Sequence, residues 1–215
     1  MMSFKRAGTT LLALLLSAEG AFAQYANPYA TQNRATTSVP TDKGSKMDDL
    51  KSFATEGNRI LESKTGDLTG AGHKDVLLVL DPPTTGKEKL GEGPNRTVLL
   101  LLRDASGQLV RKASNGHIVL CATCGGVSGD PFGYVRIDAG SFTIVNGGGS
   151  RERWTDEFTF TYAKDSQDWF VTKVNRQVSD SETGHEKKIE LTPHELGKVS
   201  FHEFDPGKVP EVTLP

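Results

Sequence analysis

Two cysteines in 215 residues exclude a disulfide-dense secreted scaffold and a four-cysteine zinc site. Charge of one sign is not in excess either, with 25 Lys and Arg against 27 Asp and Glu. That near-balance excludes the broad basic patch on which non-specific nucleic-acid binding depends. Beyond residue 23 no apolar run approaches the roughly 20 residues of a membrane-spanning helix. A phosphate loop is missing, because no Gly-Lys-Ser/Thr follows the glycine-rich stretch. His185-Glu186, His194-Glu195 and His202-Glu203 never extend to His-Glu-x-x-His, and Gly126-Val127-Ser128-Gly129 is not a nucleophile elbow. The carboxylates are scattered through polar turns and form no paired acid and base. An enzyme is not expected.

What is present begins with an address. Lys5 and Arg6 precede the short apolar stretch Thr9–Ser17, and Ala21-Phe22-Ala23 offers small residues to a signal peptidase. Residues 1–23 therefore read as a signal peptide cleaved after Ala23, sending the protein to the periplasm without a membrane span. Residues 24–46 have no Leu, Ile or Phe and read as a disordered linker. Ser45 then caps a short helix over Lys46–Ala54, with Met47, Leu50, Phe53 and Ala54 at helical spacing. A single β domain occupies 47–204. From Asp205 a proline-rich segment to 215 reads as an extended tail.

Within the domain the texture is β. Val76–Leu80 and Thr97–Leu102 are continuous apolar runs, the pattern of strands covered on both faces. Gln108–Lys112 and His117–Cys121 are expected as two strands split by a turn at Ser114-Asn115-Gly116. Asn95-Arg96-Thr97 is an ordinary turn-to-strand junction. Trp154, Phe158, Phe160 and Tyr162 share one parity against Thr155, Thr159 and Thr161, which predicts a half-buried strand. Residues 164–168 then loop into Trp169–Asn175 as a hairpin. Turns recurring between short strands predict a mainly β fold. It is an antiparallel meander, small β-propeller-like, with a β-sandwich as the alternative and one short N-terminal helix.

Three segments carry candidate sites. Asp67-Leu68-Thr69-Gly70-Ala71-Gly72-His73-Lys74-Asp75 runs into the Val76–Leu80 strand. A calcium loop needs oxygens at alternate positions, a sharp glycine turn and a closing carboxylate. Asp67, Thr69, His73 and Asp75 are the candidate metal residues, although Ala71 stands where an acidic ligand is usual. The segment resembles the loops of FG-GAP and VCBS propeller repeats. Cys121-Ala122-Thr123-Cys124 is followed by glycines that let the chain turn, and an exported pair defaults to a disulfide. A redox pair and zinc with His117 are the alternatives. The glycine-rich stretch 125–154 supplies turns, or a recognition surface with Phe132 and Tyr134 as aromatic anchors and Arg151 and Arg153 as charged contacts.

The segments GDLTGAGHKDVLLVLD (66–81), NRTVLLLLRDASG (95–107), VLCATCGGVSGDPFG (119–133) and GGGSRERW (147–154) together resemble a family of small exported Gram-negative proteins. That family includes a periplasmic immunity protein against a lysozyme-like toxin delivered by a type IV secretion system. The resemblance implies a propeller-like fold, a calcium loop at 67–75 and inhibition of a lysozyme-like hydrolase. Ser128 and Tyr134 resemble the Ser/Tyr loop with which unrelated inhibitors plug a c-type lysozyme cleft.

The leading reading is thus an exported periplasmic binding protein of the immunity type. Loops of 125–154 would enter a glycosidase cleft, with Phe132 and Tyr134 supplying apolar area and Arg151 or Arg153 facing its carboxylates. The alternatives are an envelope glycan- or protein-binding module braced by calcium, and a periplasmic thiol-redox protein. No motif encodes an oligomeric state.

Overall fold

The computed structural model describes residues 50–214. The signal peptide, the linker and most of the expected helix lie outside them. At the boundary, Leu50 and Lys51 end a helical turn, and Phe53 and Ala54 donate amides to their carbonyls.

Among the described residues nine strands form two antiparallel sheets, each in chain order. The first contains β1 (Arg59–Gly66), β2 (Asp75–Asp81), β3 (Arg96–Arg103) and β4 (Leu109–Val119). The second contains β5 (Phe132–Asp138), β6 (Ser141–Gly149), β7 (Glu152–Ala163), β8 (Asp168–Asp180) and β9 (Glu186–Leu191). Neither sheet closes or curls. Apart from the helical end at Leu50 and Lys51, α-helix among the described residues is the four-residue α1 (Pro193–Leu196).

The apolar runs of β2 and β3 are explained by burial on both faces. Leu77, Val79, Val98 and Leu100 join Phe142, Ile144, Phe158 and Phe160 of the second sheet in one core. Val76, Leu78, Leu80, Leu99 and Leu101 point the other way, against Leu50, Phe53, Ile60 and Leu109. A strand with two buried faces has no solvent side to mark with polar residues. The second sheet has one wetter face, where the Thr143–Thr159 and Thr161–Thr172 hydroxyl pairs lie 2.9 Å apart. The parity read from β7 holds through Phe158 and Phe160.

Two expectations need correction. Ser114-Asn115-Gly116 does not split a pair of strands, since β4 runs through it. Asn115 is buried, its Oδ1 accepting from the amides of His117 and Ile118 and its Nδ2 donating to the carbonyls of Phe201 and Phe204. The side chain thereby replaces ladder bonds that the irregular register of β3 and β4 leaves unmade. Nor is the segment after 204 an extended tail. Pro206 and Val209 are buried, and a 3-10 turn spans Pro206–Lys208. Phe201 and Phe204 just before it meet Phe158 and Phe160 edge to face, so the C-terminal segment closes the core.

Candidate functional site

The segment after Cys121 is held from three sides. Cys121 and Cys124 form a disulfide, their Cα atoms 5.1 Å apart. Gly125 accepts the Gly149 amide at 2.9 Å, which ties the loop to the end of β6. The third hold is Arg96, only 1% exposed. Its Nε donates to Asp81 at 2.8 Å, and its two terminal nitrogens donate to Asp130 at 2.7 and 2.6 Å. Arg59 pairs with Asp81 from outside, while Asp130 also accepts the Phe132 amide. Burial would raise the Asp81 carboxyl, but the bonds from Arg96 and Arg59 outweigh it and leave it lowered. The junction read as ordinary in the sequence is therefore the brace of the loop.

That bracing redistributes the expected contact residues. Ser128 donates its hydroxyl to the Gly149 carbonyl at 2.9 Å, so it fastens the loop. Phe132 packs against the shared core and is not a protruding anchor. Arg151, itself exposed, is engaged by Asp180 at 2.8 Å and Glu182 at 3.0 Å at the β7–β8 end. Tyr134 is 40% exposed, and Arg153 is exposed on β7 opposite Gly149. The sequence reading passed over Val127, which at 79% exposure is the most exposed large apolar side chain among the described residues. It sits in a single 3-10 turn, Gly126–Ser128, too short to activate a preceding thiolate as a redox helix would.

The 67–75 loop closes on itself. Asp67 accepts the amides of Ala71 at 3.0 Å and Gly72 at 2.9 Å, and these bonds, Gly72 first, lower its pKa. Thr69 is half-buried and His73 exposed, whereas Asp75 is buried with Oδ1 on the Arg103 amide. Burial raises the Asp75 carboxyl, and its Oδ2 has no hydrogen-bond partner among the described residues. Among the described residues no group of three or more His, Cys, Asp or Glu side chains gathers as a metal centre. The converging carboxylates that calcium prefers are not assembled in this loop.

A second feature lies next to the loop. A Cβ at Gly148 would stand 2.7 Å from the Gly125 oxygen and 2.9 Å from Trp154 Cζ2, so loop, strand and indole meet there. Trp154 opens onto a cleft of about 420 Å³ lined also by Leu120, Glu152, Asp156, Arg176, Gln177, Val178, Glu211 and Val212. Cross-strand register places Trp154 opposite Val178 and Asp156 opposite Arg176 on the core-facing side. Arg176 is buried, donating from Nη1 to the Val209 and Pro210 carbonyls and from Nη2 to Pro206. Its Nε lies 3.3 Å from Asp156 Oδ1 without an aligned hydrogen bond. Burial pushes the Asp156 carboxyl up to about 6 against the pull of Arg176. No sequence signal marked this pair, because the two residues are distant in the chain and the lid comes from the segment read as a tail.

The three His-Glu pairs lie in separate parts of the C-terminal half of the chain. Glu195 closes the capping box of α1 with Thr192. Comparison with protein-family models, with curated proteins and with solved structures finds no match for this chain.

Proposed function

We propose that the protein is an exported periplasmic binding protein without catalysis, an immunity-type inhibitor of a lysozyme-like peptidoglycan hydrolase. The observation that carries this reading is the pre-organised loop 125–130. Arg96, the disulfide and Ser128 hold it, while Val127 projects at its tip. A loop ordered before contact avoids the entropy cost of being immobilised on binding. Val127 supplies the apolar contact that enters the enzyme cleft. Arg153, across the ladder from Gly149, faces the paired carboxylates such a cleft contains. These two take the roles first given to Phe132 and Arg151, and Tyr134 widens the contact. The finer architecture fits this reading as two propeller-like blades, since each sheet is a sequential meander and no Greek-key crossover joins them.

The test is titration of oxidised mature protein (24–215) into muramidase assays, including c-type lysozyme and any lysozyme-like protein encoded beside its gene. Stoichiometric inhibition of one enzyme is expected. Val127→Asp and Arg153→Glu should each weaken it by about tenfold or more, as interface hot spots do, with the thermal midpoint unchanged. No inhibition across the panel, or inhibition indifferent to both substitutions, sinks this reading.

A further inference from the structure

The cleft beside Trp154 contains an unfinished ion pair. Asp156 accepts no hydrogen bond from the described residues, and its ion-pair partner is Arg176 at 3.3 Å. Arg176 is 8% exposed, and its Nε–H has no aligned acceptor among the described residues although its other nitrogens are engaged. The partly exposed Asp156 carboxylate beside it can accept from whatever enters the cleft. An ammonium donates only and a carboxylate accepts only, so each would answer half of the pair. A hydroxyl both donates and accepts at a single oxygen, and it answers both.

The remaining walls narrow the class. Trp154 lines the cleft with its indole, while the carboxylates of Glu152 and Glu211 add acceptors at its border. A ligand that matches must carry several hydroxyls and also an apolar face to lie on an indole. The volume, about 420 Å³, is in the range of small-molecule sites. We infer that the Trp154–Asp156–Arg176 cleft is a saccharide subsite, in which a sugar ring stacks on Trp154 and one hydroxyl bridges Asp156 and Arg176. The site stands apart from the inhibitor reading. A protein that binds sugar and inhibits no muramidase satisfies this inference and fails that one.

Chitotriose, cellotriose and maltotriose at millimolar concentration, followed by tryptophan emission and calorimetry, test it. Trp169 is 1% exposed and serves as an internal reference, so a saturable emission change reports Trp154. At least one trisaccharide should bind. Asp156→Ala and Glu152→Ala should each weaken binding by about five- to tenfold, the effect of one lost hydrogen bond. Trp154→Ala should abolish it; if that variant does not fold, the other two carry the test. Nε-acetyl-lysine and lysine amide serve as non-sugar controls and should neither bind nor compete. Failure of all three sugars, competition by lysine amide, or full affinity in Asp156→Ala would overturn the assignment.

Discussion

Two buried arginines organise two regions of this protein, and their surroundings differ in one respect. Arg96 spends its guanidinium on two carboxylates and the Leu120 carbonyl, with every nitrogen engaged. Arg176 spends its terminal nitrogens on three carbonyls of the C-terminal segment and leaves Nε–H short of the Asp156 carboxylate. A buried charge whose bonds are complete acts as a brace, because removing either partner exposes an uncompensated charge to a poor solvent. A buried pair whose bonds are incomplete holds a polar demand that something else can meet. The loop at 125–130 and the cleft beside Trp154 touch at Gly148, yet one is rigid by construction and the other is poised.

The strongest way to break that contrast is Arg96→Met. It strands Asp130 and leaves Asp81 with Arg59 alone, and it should cost about 3 kcal/mol, as removal of one partner from a buried ion pair does. Urea unfolding at pH 7 reads the loss directly. A variant as stable as the parent would mean that Arg96 is not the brace.

Replacing both cysteines with serine sharpens the same comparison from the loop side. The disulfide closes only a four-residue segment, so its removal should cost about 2 kcal/mol by chain entropy, less than loss of Arg96. The reverse order, measured in the same assay, would transfer the bracing role to the sulfur bridge.

At the other arginine the sign reverses. The Asp156 carboxyl titrates near 6 when folded, above its ordinary value of 3.8. In that window the folded protein holds a proton that the unfolded chain has released, so this group's contribution falls as pH rises from 4 through 6. Asp156→Asn should therefore raise stability at pH 7 by up to about 2 kcal/mol. The gain should fade toward pH 4, where the parent carboxyl is protonated in the folded state and approaching half protonation in the unfolded chain. Urea midpoints at pH 4, 5, 6 and 7 check it. A loss of stability at pH 7 would show that the Asp156–Arg176 attraction outweighs desolvation after all.

Much of the fold was legible because its periodicity is local. The runs at 76–80 and 97–102 announced two-sided burial, and alternation along β7 announced its inward face. β1, β5 and β9 were not foreseen. In β1 only Ile60 and Leu61 are apolar, and in β9 only Ile189 and Leu191, so neither offers a sustained alternation. β5 begins in the Pro131-Phe132-Gly133 stretch that reads equally well as a loop. Asn115 misled because Ser-Asn-Gly favours turns whenever the side chain bonds its own backbone. Here that bond forms, but inside a strand, since Nδ2 finds carbonyls some 86 residues away.

The candidate site divides along the same line. Glycines at 125–126 and 147–149, the cysteine pair and the exposed Arg153 could be picked out from spacing alone. Whether Phe132 projects or packs, and whether Arg151 is available or engaged by Asp180, depends on partners that arrive from elsewhere in the chain.

By itself the sequence determined the strand-rich character, the doubly buried core strands and the turn at the cysteines. Each follows from composition or from a period of two within a few residues. Only the tertiary structure decided that Arg96 joins Asp81 to Asp130, that Val127 is the projecting tip, and that the C-terminal segment roofs a cleft over Trp154, Asp156 and Arg176. Those outcomes depend on burial and on charge pairing between distant strands, where the low dielectric makes each completed or missing bond count.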